Sequence, residues 1–217
     1  MQVTTENRIV PKLRFSGYLD YSICQFGDIY YFISTNSFSR DKLNYESGNV
    51  RNIHYGDILT KFQSVFCLEN ENVPLINEEV DLSKYKEENY CKIGDLVIAD
   101  ASEDYEGIGT LIEIKSLNNK KTLAGLHTIQ ARPYPNKTSV GYVAFLMKSW
   151  SVKYQIMRIA QGTKVLGISA KRIAKIKLHL PSLQEQQKIA SFLIAVDKKL
   201  QQLAKKKELL EIYKEGV

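Results

Sequence analysis

The sequence predicts an α+β protein: a mixed, mostly β globular domain with a few helices over residues 1–180, then a long C-terminal coiled-coil helix over 181–217. Three observations predict it. A Gly-Asp turn feeding a run of aliphatic, aromatic or β-branched residues occurs three times, at Phe26-Gly27-Asp28-Ile29, Tyr55-Gly56-Asp57-Ile58-Leu59 and Ile93-Gly94-Asp95-Leu96-Val97-Ile98. Turn residues ahead of such runs mark strand starts. Val140 to Lys148 and Val152 to Ala160 carry helical spacing, with Gly162 as the C-cap residue. After Pro181 there is no proline, and no glycine before Gly216.

The elements follow in chain order. PKLRFSGYL (Pro11 to Leu19) is a short segment turning at Ser16-Gly17, and the three Gly-Asp units are read as three strands of a sheet or partial barrel. Between the first two lies a polar loop, Ser34 to Tyr45, whose Asn, Ser, Arg, Lys and Tyr side chains suit contact with base edges and phosphates. Residues 69–90 read as an acidic connection with little regular structure. Strands follow at Gly109 to Ile114 and Leu126 to Ala131, joined by an Asn118-Asn119-Lys120-Lys121 turn. Ser169 caps a short helical turn. Ile173 to Leu180 then alternates, with Ile176, Leu178 and Leu180 on one face and Lys175, Lys177 and His179 on the other, as a half-exposed strand does.

The final helix opens with a capping box, Ser182 followed three residues later by Glu185. Its apolar positions Ile189, Leu193, Val196, Leu200, Leu203 and Leu210 step by four and three, with Lys207 filling the remaining seam position. That 3.5 period belongs to coiled coils. From Leu183 to Lys214 the helix runs about 48 Å at about 1.5 Å per residue. It is too long to lie across a domain of this size and needs a partner.

Charge is unevenly divided. Residues 148–217 hold 15 Lys/Arg against 5 Asp/Glu, a balance of +10, while 1–147 hold 15 against 19, a balance of −4. A concentrated basic region is the footprint of phosphate binding or of an acidic protein partner. No apolar run approaches a membrane span, and no basic-then-apolar leader opens the chain, so no membrane or secretory role is expected. Cys24, Cys67 and Cys91 are far apart, which fits buried thiols in a reducing cytoplasm. His54, His127 and His179 show no metal-ligand spacing, and no metal is expected.

Six stretches, in order, resemble the specificity (S) subunit of type I restriction–modification systems: PKLRFSGY, RDKLNYESGNVRNIHYGDIL, GDLVIADASEDYEGIG, AGLHTIQARP, QGTKVLGIS and LPSLQEQQKIASFLIAVDKKL. The resemblance implies a target recognition domain followed by a conserved helix. In that family two recognition domains alternate with two helices, which pack antiparallel and set the spacing between the halves of a split DNA site. The resemblance further implies no catalysis in this chain and no cofactor of its own. S-adenosylmethionine belongs to a methyltransferase (M) subunit, and ATP and Mg²⁺ to a restriction (R) subunit held through the M complex. Here one domain and one helix are present, which fits a half-subunit or a piece of a full one.

The candidate DNA contacts are Asn36, Ser37, Arg40, Lys42 and Tyr45 in the polar loop, with Lys120, Lys121, Arg132, Lys164, Lys171, Arg172 and Lys175 as phosphate contacts. Two alternatives belong to other classes. Asp104 with Glu113-Ile114-Lys115 resembles the acid, Glu-x-Lys pattern of metal-dependent nucleases. The helix could also make the chain a coiled-coil interaction module without DNA readout. No Pro-Pro of an adenine methyltransferase loop and no G-x-x-x-x-G-K-[ST] phosphate loop occurs. Because the seam has no second helix in this chain, a homodimer through antiparallel helices is predicted, each exposed seam leucine otherwise forfeiting roughly 1.5–3 kcal/mol of burial. Sedimentation at micromolar concentration should show a dimer, and Leu200→Asp a monomer.

Overall fold

The computed structural model of the chain is described over residues 14–18 and 21–216, and eighteen strands and helices follow one another among the described residues. β1 (Tyr21–Gln25) leads through a 3-10 turn into β2 (Tyr30–Ile33), then β3 (Leu43–Asn44), β4 (Arg51–Ile53) and α1 (Tyr55–Thr60). Next come β5 (Val65–Cys67), β6 (Leu75–Ile76), β7 (Leu96–Ala99), β8 (Ala101–Ser102), β9 (Leu111–Ser116), β10 (Thr122–Ala124) and β11 (Thr128–Pro133). α2 (Tyr142–Lys148), α3 (Trp150–Ile159), β12 (Leu166–Gly167), α4 (Ala170–Ile173) and β13 (Lys177–Pro181) complete the domain, and α5 (Leu183–Glu215) leaves it. The Ser16-Gly17 turn is present, whereas residues 11–13 and Leu19 of the stretch around it lie outside the described residues.

The central sheet has the order β2-β11-β7-β9-β5, antiparallel except for the β9/β5 pair. Its middle strand, Leu-Val-Ile-Ala, is apolar throughout because both faces are covered. Leu96 and Ile98 enter one core with Val143, Ile156, Ile173 and Leu178, while Val97 and Ala99 enter the other with Ile58, Phe66, Ile112 and Ile114. That division is the two-residue period of a strand. A second sheet, β10-β4-β6-β3, stands beside it, and β1 pairs with β13 next to the root of α5. The alternation read over Ile173 to Leu180 is present: Ile176, Leu178 and Leu180 are buried and Lys175 and Lys177 exposed.

Three local expectations need correction. The second Gly-Asp unit is α1, a helix and not a strand. His54, in extended backbone, caps it by accepting the Gly56 amide on Nδ1 at 3.2 Å, and Asp57 turns inward. Gly162 is not a helix cap, because α3 ends at Ile159 with Ala160 as its C-cap. Gly162 lies at φ +128° in the turn that pairs Gln161 with Gly167, where a Cβ would fall 1.9 Å from the Val165 carbonyl. The capping box is half made. Ser182 accepts the Glu185 amide at 3.3 Å, but the Glu185 carboxylate is buried and bonds the Arg14 guanidinium, with Nε at 3.1 Å. The 69–90 connection carries only the two-residue β6 and a 3-10 turn at Leu68–Asn70.

Glu113 shows how the sheet holds the helical layer. It lies on β9, fully buried, and accepts the amides of Gly141 at 2.7 Å and Ala144 at 2.8 Å at the start of α2. Burial pushes its carboxyl up to about 7, against the lowering effect of those amides. An acid raised on folding stabilises the native state at low pH and loses that contribution as pH rises through the folded value. The urea midpoint of the parent chain should therefore fall between pH 5 and pH 8, and Glu113→Gln should flatten that fall. An unchanged slope would mean Glu113 ionises freely.

Candidate nucleic-acid interface

The polar loop is positioned by an asparagine that faces inward. Asn36 is 5% exposed; its Nδ2 donates to Asn52 Oδ1 at 2.6 Å and to the Ala124 carbonyl at 2.9 Å, and its Oδ1 accepts the Phe38 amide. It stitches the loop to β4 and β10. The 3-10 turn Arg40–Lys42 then swings Arg40 over α1, where Nη1 meets Asp57 Oδ2 at 2.8 Å. Lys61, one turn along, meets the other oxygen at 2.9 Å. Burial pushes the Asp57 carboxyl up, and the hydrogen bonds and charges of Arg40 and Lys61 outweigh it, holding it below the usual carboxylate range. Tyr45, half exposed, stands beside Arg40 and favours its charged form.

From α1 a row of rings crosses to the central sheet. His54 and Tyr55 lie 4.8 Å apart between centroids, and Tyr55 meets His127 edge-on at 5.3 Å. His127 takes a left-handed backbone, φ +53°, which lifts its ring out of the strand start and brings Nδ1 to 3.3 Å from Asp100. Asp100 and His127 then form one wall of an open groove of about 470 Å³, shared with Gln161, Val165, Ser169 and Arg172. Arg40, Tyr45, Lys61, Tyr55, His127 and this groove make one continuous polar strip. Its side chains present donors, acceptors and aromatic edges, the groups that read bases.

The residues singled out from sequence are distributed unevenly about this strip. Arg40 and Tyr45 stand at one end and Arg172, whose Nη1 donates to the Ile159 carbonyl, at the other. Ser37 and Lys42 are exposed farther along the loop, Lys42 beside Asp41 at 3.5 Å. Lys120 and Lys121 are exposed on a turn that Asn118 and Asn119 make in left-handed backbone, with Lys121 4.9 Å above the Tyr90 ring. Lys164, Lys171 and Lys175 are exposed. Arg132 and Asn36 are internal braces, where sequence placed them on the DNA-facing surface. Arg132 is 8% exposed and grips both oxygens of Asp95, at 2.8 and 2.7 Å, and the carbonyls of Glu88 and Tyr90.

Sequence reasoning missed Tyr55, Lys61, Asp100, His127 and Gln161. A helix over Tyr55–Thr60 would have exposed the Asp57/Lys61 pair at i, i+4; the strand reading concealed it. The nuclease pattern is not assembled. Glu113 is inside beneath α2, Asp104 sits in an exposed loop bonding the Gly107 amide, and Lys115 lines a cleft beside α5. Among the described residues no three His, Cys, Asp or Glu side chains cluster as metal ligands, and no helix is long and apolar enough to cross a membrane.

The family model of the type I restriction modification DNA specificity domain matches residues 19–211. The chain belongs to that family. Two S subunits of solved structure share the specificity-domain fold. One from M. genitalium gives a TM-score of 0.58 at 14% identity, covering 90% of this chain and 44% of its own. An HsdS subunit from Thermoanaerobacter tengcongensis gives 0.56 at 12%, covering 90% and 41%. The chain thus spans less than half the length of the S subunits it resembles. No curated protein matches it significantly. Within this specificity domain the pKa of the His54 ring is depressed by its place under the strip. Burial, then the Arg40 cation, push it down to about 4. A base lowered on folding contributes stability above its ordinary value and loses it as pH falls toward the folded one. NMR titration should find His54 still neutral at pH 5.5, whereas a midpoint above pH 6 would contradict the packing described.

Proposed function

We propose that this chain reads one half of a bipartite double-stranded DNA site for a type I restriction–modification complex and carries no catalysis itself. The observation that supports this most directly is the span of the specificity-domain match, which runs through the globular domain and on along α5 to residue 211. Tyr45, Tyr55, His127 and the groove beside Arg172 meet base edges. Lys42, Lys61, Lys120, Lys121, Lys164, Lys171 and Lys175, with Ser37, meet phosphates and fix orientation. Methylation of adenine from S-adenosylmethionine resides in an M subunit. Cleavage with ATP and Mg²⁺ resides in an R subunit held through the M complex.

The helix supplies geometry. The seam residues Ile189, Leu193, Val196, Leu200, Leu203 and Leu210 pair with those of a second copy running antiparallel, which holds two reading domains at a fixed separation. The assembly acts on DNA in the cytoplasm.

The test uses the chain bound to its M subunit. Each good base contact is worth about 1–3 kcal/mol of discrimination, so Tyr45→Ala and His127→Ala should each lower methylation of the cognate site about tenfold and relax its sequence preference, with assembly unchanged. Unaltered methylation would place base readout elsewhere on the domain. Methylation or cutting by the isolated chain would overturn the reading as a whole.

A further inference from the structure

Exposed apolar surface on α5 is not confined to the seam. Where the helix leaves the domain, Phe15 stands edge-on to Phe192, centroids 6.3 Å apart at 83°, and Lys188 Nζ lies 4.9 Å above the Tyr18 ring. These side chains, with Gln184, Gln187 and Ser191, line an open shelf of about 600 Å³ beside the seam. Phe192 is 58% exposed. At the other end of the same helix Leu209, Leu210, Ile212 and Tyr213 are all more than half exposed, Tyr213 at 72%. None of the four belongs to the domain's apolar cores.

One helix therefore carries two apolar surfaces, at Phe192 and Tyr213, about 30 Å apart at about 1.5 Å per residue. A second copy running antiparallel brings each onto the other, and two-fold symmetry makes the contact twice. The seam supplies the register. Leu193, Leu200 and Lys207 occupy one of its two alternating positions, and Ile189, Val196, Leu203 and Leu210 the other. Setting Leu200 against the second copy's Leu203 sets Leu193 against Leu210 and Val196 against Lys207. The lysine stem can lie along the valine while its ammonium reaches water. In the same alignment Phe192 and the second copy's Tyr213 occupy facing flank positions. Tyrosine suits such an edge, with a ring to bury and a hydroxyl to leave wet. Shifting the antiparallel register by one heptad would instead set Asp197 against Asp197 and Lys199 against Lys199 in one direction, or Leu203 against Lys207 and Lys206 against Lys206 in the other. Parallel pairing would stack Lys207 on Lys207 and bring both Lys205–Lys207 clusters together. Neither unites the two apolar surfaces.

We propose that the shelf of Phe15, Tyr18 and Phe192 seats the last turn of a second copy's α5, Tyr213 against Phe192, and that this contact sets the register of an antiparallel pair. The inference rests on the helix pairing proposed above. It is tested on the 217-residue chain alone by sedimentation and oxidative cross-linking, with the unmutated chain as control for its native thiols. Chains carrying Leu193→Cys with Leu210→Cys should form disulfide-linked dimers, and chains carrying Leu193→Cys with Leu203→Cys should not. Tyr213→Ala and Phe15→Ala should each raise the dimer dissociation constant about tenfold while helix content by circular dichroism is unchanged. A dimer that cross-links through 193 and 203 overturns the register. A dimer indifferent to Tyr213→Ala and Phe15→Ala overturns the seat. A monomeric unmutated chain overturns the pairing itself, and the seat with it.

Discussion

The root of α5 is fixed by one side-chain amide. Gln186, 2% exposed, accepts the Ser139 amide on Oε1 at 2.9 Å and donates Nε2 to the Pro181 carbonyl at 3.0 Å. It thereby ties the helix to the lead-in of α2 on one side and to the end of β13 on the other. Around it Glu185 is buried against Arg14, and Ala190 enters the main core. Gly141 permits the approach, since a Cβ there would stand 3.0 Å from Ile194 Cδ1. A helix held by three inward residues over its first two turns leaves the domain in one direction. From Lys198 onward every described residue is exposed, Gln201 still donating to Gln63 Oε1 of the domain at 3.1 Å, and that direction is inherited by the length beyond. A spacer needs this property, and a hinged helix of the same sequence would lack it.

The same constraint links the helix to the sheet. Glu113, in the middle of β9, holds the first amides of α2, and α2 packs against α5. The path from the sheet that carries His127 to the helix root thus runs through buried, satisfied polar groups. Removing one partner of such a group leaves a desolvated donor or acceptor, costing about 1–3 kcal/mol, more if it is charged. Orientation of the strip relative to α5 is therefore guarded by buried groups.

Elements with a strong period were legible in the sequence, and side-chain destinations were not. The alternation of Ile176, Leu178 and Leu180 and the long uninterrupted helix are present as read. The three Gly-Asp units look alike, yet their aspartates do different things. Asp28 accepts the Gln25 amide, Asp57 faces inward to two cations, and Asp95 grips Arg132. A turn residue cannot show from its own position which partner folding brings to it. Asn36 and Arg132 were misplaced for a related reason. The capacity for two directed hydrogen bonds that suits a base edge also suits a buried brace, and only burial tells them apart. His127 was passed over because nothing in Gly-Leu-His-Thr announces a left-handed residue whose ring turns outward.

The electrostatics of the strip bear on how such a domain would bind. Its cations are partly answered from within: Arg40 and Lys61 share the one carboxylate of Asp57, and the His127 ring lies beside Asp100. What remains on the surface is a small net positive charge among donors, acceptors and rings. Phosphate neutralisation supplies most non-specific DNA affinity, and it scales with the number of free cations that meet the backbone. A strip whose charges are partly paired internally would contribute less of that term than the same cations unpaired. The basic excess lies instead in residues 148–217, a balance of +10, of which 148–182 carry +8 and α5 only +2. A reading surface built this way would gain affinity when other cationic surfaces, the 148–182 stretch or a partner subunit, are brought to the same duplex.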